Sequence, residues 1–167
     1  MKRMDTAAVA KALALISLGV GIDQLTKLWA QARLPGSPIE VIPRALSFVY
    51  AENRNMAFGI GNFLPPAAKV GILLALTGAL TVFLTVAMIR SPDFASRLGF
   101  GVTIAGAVGN IADRIRLGYV VDFIYWHGGF TWPNFNVADI LVCTGVGILL
   151  VFGGRKPMPV KPRPVAG

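Results

Sequence analysis

The stretch VGILLALTGALTVFLTVAMI, residues 70–89, holds twenty residues without a charge, between Lys69 and Arg90. As a helix it would be about 30 Å long, which matches the hydrocarbon core of a bilayer. The rest of the chain has the same bias. Of its 167 residues 54% are hydrophobic and only 14% charged, where soluble domains carry roughly 25% charged residues. A mean hydropathy of +0.64 excludes intrinsic disorder, and a single cysteine, Cys143, excludes an internal disulfide scaffold. The net charge of +8 would suit nucleic acid if the basic residues formed one face of a soluble domain. They bracket the apolar runs instead, so the charge reads as membrane topology and no nucleic-acid partner is expected.

Three shorter apolar runs accompany the first: Ala12 to Ile22, Leu98 to Ala112, and Ile140 to Gly153. Each reaches spanning length only by taking a polar residue into its helix. Lys11 can snorkel on its long stem, whereas Asp23, Asp113 and Asp139 are short and need partners or water. The prediction is an all-α membrane protein forming a single integral membrane domain, with four transmembrane helices near residues 9–27, 69–89, 97–115 and 137–153. The first run resembles a secretory signal peptide, but three more runs follow and no clear small-residue cleavage site is present, so it reads as a retained helix. Four spans put both termini on one side. That side carries nine basic and two acidic residues, a balance of +7, and the other seven basic and six acidic, a balance of +1. The positive-inside rule then places both termini in the cytoplasm.

All the tryptophans and tyrosines fall on the predicted outer side, as in an interfacial aromatic belt. Between the first and second spans, Ile39, Val41, Leu46, Phe48 and Tyr50 alternate roughly with polar residues, which predicts a short β hairpin or sheet on the external face. Gly101, Ala105 and Gly109 form a small-residue stripe at spacing four, suited to close helix packing. The proline- and base-rich segment 157–167 reads as a flexible cytoplasmic tail.

Metal-protease, serine-elbow, Walker and Rossmann motifs are all missing from the sequence. His127, the only histidine, reads as a solvated interfacial residue, and Cys143 as a small buried hydrophobe. Two acids stand out. Asp122 is isolated in Val120-Val121-Asp122-Phe123-Ile124, and Asp139 opens the fourth run, where Asn136 as N-cap would put it at the third helical position of a capping box. Ionisable groups at membrane depth are expensive and mark functional sites. Two aspartates held close in a low-dielectric site cannot both ionise easily, so one keeps a proton while the other acts as a base on water. Asn53, Asn110, Arg114 and Asn136 are the polar side chains available to orient a peptide and its oxyanion.

Five blocks in order resemble bacterial lipoprotein signal peptidase, the signal peptidase II family of four-helix membrane aspartic proteases. Asp23-Gln24-Leu25-Thr26-Lys27 is similar to the family's D-Q-x-[ST]-K, and Asn53-Arg54-Asn55-Met56-Ala57-Phe58-Gly59 to its N-x-G-x-A-F-[GS]. Residues 106–114 are similar to G-A-x-G-N-x-x-D-R, residues 120–123 to V-x-D-F, and residues 135–139 to F-N-x-A-D. Asn55 departs from the usual glycine and Met56 from a small residue; asparagine is the residue next most tolerant of positive φ. The resemblance implies that Asp122 and Asp139 are the catalytic pair and that Asp23, Asn53, Asn110, Asp113, Arg114 and Asn136 shape the site. It implies a prolipoprotein substrate cut before its diacylglyceryl-modified cysteine, an inner-membrane enzyme acting on the external side among membrane phospholipid, no metal or cofactor, and no obligate protein partner.

From the residues, the helix start at Asp139 favours its charged form, while Asp122, lacking a donor nearby in sequence, is the expected holder of the proton. Two other classes fit intramembrane acids: a small proton-coupled transporter, and a divalent-metal enzyme using Asp23, Asp113, Asp122 and Asp139 as oxygen ligands.

Overall fold

The structure, a computed structural model, describes residues 6–54 and 65–153. Four helices dominate it: α1 (Thr6–Arg33), α2 (Pro66–Arg90), α3 (Phe94–Leu117) and α4 (Val137–Phe152). Three strands, β1 (Ile39–Ile42), β2 (Leu46–Asn53) and β3 (Val120–Trp126), form one antiparallel sheet in the order β1-β2-β3. Asn55, Met56 and the tail at 157–167 lie outside the described residues.

Helices α1 and α2 are long and apolar enough to cross a membrane. Helix α4, at 16 residues, is about 24 Å long. Large apolar side chains such as Leu76, Phe83 and Leu150 stand exposed on the helices, a pattern that is stable where the surrounding solvent is lipid. The same exposure corrects the reading of Cys143, which faces outward from α4: an apolar run in a membrane helix does not imply a buried face. Helix α1 continues to Arg33, beyond the expected end near residue 27, because its polar turn from Asp23 to Lys27 is neutralised inside the protein and need not leave the helix.

Helix α3 lies between the others, and glycines set its distance from its neighbours. Running parallel to α1, it sets Gly101, Ala105 and Gly109 against Leu15, Gly19 and Asp23. A Cβ on Gly19 would stand 2.8 Å from that of Ala105, and one on Gly109 would collide with the Asp23 carboxylate. Against the antiparallel α4, a Cβ on Gly106 would overlap the Ala138 carbonyl. The small-residue stripe is therefore the α1 contact, and it brings backbone within reach of a side-chain carboxylate.

The predicted β element is present, joined by a turn at Pro43, Arg44 and Ala45 in which Arg44 adopts φ 60°. Its third strand was not foreseen. Helix α3 ends at Gly118, whose φ of 78° gives a left-handed C-cap that any Cβ would strain, and the chain reverses into β3 two residues later. Strand β3 pairs with β2, opposing Ala51 to Asp122 and Asn53 to Val120. Val121 and Phe123 pack into a core with Ala30 of α1 and Leu34, the residue just after it. Trp29 meets Phe48 and Phe123 edge-on, with centroids 5.6 and 6.2 Å away, fastening the sheet to the end of α1. Alternation along the strand turns Asp122 the other way, toward the start of α4.

Candidate active site

The head of α4 organises the site. Asn136 is its N-cap: Oδ1 accepts the Asp139 N–H at 3.0 Å, and Asp139 Oδ2 accepts the Asn136 N–H at 3.2 Å, a reciprocal capping box. A backbone N–H can only donate, so it fixes which end of the Asn136 carboxamide faces the helix. The other end, Nδ2, points away from α4 and donates to Asp122 Oδ1 at 2.6 Å and to Asn110 Oδ1 at 3.2 Å. Asp122 receives a second bond on Oδ2 from Asn53 Nδ2 at 3.0 Å. Asp139 receives Asn110 Nδ2 on Oδ1 at 2.9 Å. A single residue thus links the two carboxylates, although 17 positions separate them in sequence.

Behind this pair lies a buried ionic cluster. Lys27, Asp23 and Asp113 are each fully buried. Lys27 Nζ lies 3.0 Å from Asp23 Oδ2, 3.2 Å from Asp113 Oδ2 and 2.9 Å from Asn110 Oδ1. Gln24 donates to both carboxylates, and Arg116 reaches Asp113 Oδ1 at 3.3 Å. The acids also hold backbone: Asp23 Oδ1 accepts the Ala138 N–H at 2.8 Å, and Asp113 Oδ2 accepts the Val121 N–H at 3.1 Å. Each cluster acid therefore grips the residue just before one of the paired aspartates. Such a cluster is expensive to bury and survives because its donors and acceptors are matched.

Asp122 is 2% exposed. Burial, and then the charge of Asp139, push its carboxyl up from the usual range to about 6, against the opposing hydrogen bonds of Asn53 and Asn136 and the charge of Lys27. Asp139 is half-buried and borders a notch of about 280 Å³ lined by Trp132, Phe135, Ile140, Cys143 and Thr144. Arg114 donates to the Asn110 carbonyl at 3.3 Å, and its charge acts on Asp139, Asp122 and Asp113.

Of the residues singled out in the sequence, Asp122, Asp139, Asn53, Asn110 and Asn136 form one hydrogen-bonded constellation. Asp23 and Asp113 sit behind it and fix its backbone, and Arg114 supplies charge from the side. Lys27 and Gln24 were missed as site residues. The i,i+4 spacing of Asp23 and Lys27 on an otherwise apolar helix was the available signal. Lys27 is one of the seven basic residues counted on the outer side, and the structure buries it among the acids. His127 pairs with Ser47, Nε2 to Oγ at 3.1 Å, away from the carboxylates. Among the described residues no group of three or more His, Cys, Asp or Glu side chains is placed to hold a metal ion, and the Lys27 ammonium occupies the space between Asp23 and Asp113.

The same fold occurs in two solved structures, both described as bacterial membrane enzymes determined by the in meso method. One is 27% identical with a TM-score of 0.75, covering 90% of each chain; the other is 26% identical with a TM-score of 0.78, covering 90% of this chain and 96% of that one. Architecture and polar site together define a membrane enzyme. Residues 15–153 match the family model for signal peptidase (SPase) II, and the chain belongs to that family. It is 40% identical over 145 residues to a lipoprotein signal peptidase of Clostridium tetani, covering 83% of this chain and 88% of that one. Those of Clostridium novyi and Chlorobaculum tepidum are 39% and 37% identical, covering 83% and 78% of this chain and 93% and 86% of theirs.

Proposed function

We propose that this protein is a membrane aspartic endopeptidase that removes the signal peptide from lipid-modified prolipoproteins, cutting before the diacylglyceryl-modified cysteine. Asp122 and Asp139 activate the water. The observation that carries the assignment is Asn136, whose carboxamide and backbone N–H bond to both carboxylates at once.

In this reading Asp139, supported by the Asn136 N–H and the Asn110 carboxamide, takes a proton from water as the hydroxyl adds to the scissile carbonyl carbon. Asp122, the carboxyl raised by burial, gives its proton to the carbonyl oxygen. The tetrahedral diol collapses as Asp139 passes its proton to the departing nitrogen and Asp122 recovers one from the diol, which restores both acids. Asn53, Asn110 and Asn136 hold the carboxylates, while Asp23 and Asp113 hold their backbone. The four helices span the bacterial inner membrane as one integral domain, with both termini cytoplasmic and the sheet, loops and carboxylates at the external side among the headgroups.

Purified full-length protein should convert a diacylglyceryl-modified prolipoprotein into a signal peptide and a product beginning with the modified cysteine, as read by mass spectrometry. Cleavage should be insensitive to chelators. Loss of cleavage with EDTA would favour the metalloenzyme reading, and proton flux into liposomes without cleavage would favour the transporter.

A further inference from the structure

The Asn110 carboxamide has two ends with opposite tasks. Its Nδ2 donates to Asp139 Oδ1 at 2.9 Å, and its Oδ1 accepts from Lys27 Nζ at 2.9 Å and Asn136 Nδ2 at 3.2 Å. Were the amide reversed, its NH₂ would face an ammonium and another NH₂, and its oxygen would face a carboxylate. All three contacts would become repulsive. An ammonium carries three donors and no acceptor, so Lys27 permits one orientation only. Lys27 is fully buried and its other partners are Asp23 and Asp113, so its three donors are all engaged within the protein.

We infer that Lys27 is a positioning residue for the catalytic pair: its ammonium locks the Asn110 carboxamide so that the amide donates to Asp139 and simultaneously accepts from the Asn136 amide that holds Asp122. The inference rests on the proposed peptidase activity and on the dyad assignment. It gives Lys27 a task that neutralising two buried acids does not require. The charged groups around it are Asp23 on its own helix, Asp113, Arg114 and Arg116 on α3, Asp122 on β3 and Asp139 on α4. Its charge also opposes the upward push on Asp122.

Lys27→Met alone would leave two buried carboxylates with too little positive charge, so the informative variant is Lys27→Met/Asp23→Asn. There Asp113 keeps Arg116, and the introduced carboxamide keeps an oxygen for the Ala138 N–H. Folded protein, selected by gel filtration in detergent and checked by Tm, should cleave the diacylglyceryl-modified peptide with kcat lowered about 100-fold, the usual size for a lost preorganised donor, and with KM unchanged. The acid limb of its rate profile should move to higher pH as the cation is lost. Asp23→Asn alone is the reference. Wild-type kcat in the double variant would overturn the inference, because Lys27 would then serve only to neutralise charge.

Asn110→Leu tests the same link with Lys27 intact. It approximates the side-chain shape, adds no charge, and has no N–H or O–H with which to donate to Asp139. Its kcat should fall to a similar extent, and retention of turnover would equally overturn the inference, including in the event that the double variant does not fold. Failure of the wild-type protein to cleave would instead count against the peptidase reading itself.

Discussion

Asp122 and Asp139 sit on different backbones and were not equally legible. Phe135-Asn136-Val137-Ala138-Asp139 declares its capping box through the spacing of three between Asn136 and Asp139, and the bonds are present in both directions. The partners of Asp122 lie 14 and 69 residues away, beyond any local pattern. Asp122→Asn and Asp139→Asn should each abolish cleavage while leaving membrane insertion intact, since neither acid can replace the other. Near-normal turnover by either purified variant would refute the pairing. Asp122 also carries a stability signature. Its folded-state carboxyl titrates near 6 against an ordinary 3.8, so its favourable contribution is complete below about 3.8 and lost as pH rises through 6. Asp122→Asn, with exposed Asn53 able to turn its amide, should therefore stabilise the inactive protein at pH 8 relative to pH 4 by on the order of 2–3 kcal/mol. Thermal melts of both proteins across that range, showing no pH-dependent difference, would count against the burial account.

Elements follow the sequence where period and length speak plainly. The uncharged run at 70–89 became a helix, and the alternation around residues 39–50 became two strands. Strand β3 was hidden because Val120, Val121, Asp122 and Phe123 are all buried; with both faces covered, a strand shows no alternation of apolar and polar residues. The contact of α3 with α4 depends on missing side chains. Gly106→Ala would drive a Cβ into the Ala138 carbonyl, one residue before Asp139. It should cost on the order of 1–3 kcal/mol in stability and lower cleavage as well. Gly78→Ala provides the contrast: nothing lies within 4 Å of its Cβ position on α2, and removing a mid-helix glycine should stabilise by up to about 1 kcal/mol. Equal Tm shifts for the two would mean that the helices can move apart at little cost.

Across the whole molecule, the balance of +7 against +1 predicts which end faces the cytoplasm. With Cys143 replaced by serine, a cysteine at exposed Phe130 should react with an impermeant thiol reagent on intact cells. One at exposed Phe94, at the opposite end of the bundle, should react only after permeabilisation. The reverse pattern would invert the orientation. What the sequence could not show at this scale is that the polar ends of α1 and α3 meet inside the protein, because an apolar run broken by Asp and Lys looks the same whether those charges meet water or one another.

The Ala138 N–H held by Asp23 joins the opening turn of the last helix to a carboxylate on the first. Helix α4 comes last in the chain, so until it packs, Asp23 Oδ1 lacks the Ala138 N–H. Arrival of α4 engages it and in the same movement sets Asp139 beside Asp122. If Asp122 and Asp139 are the catalytic pair, a chain lacking its last helix would carry only one of the two acids, and packing of α4 would complete the site and the fold together.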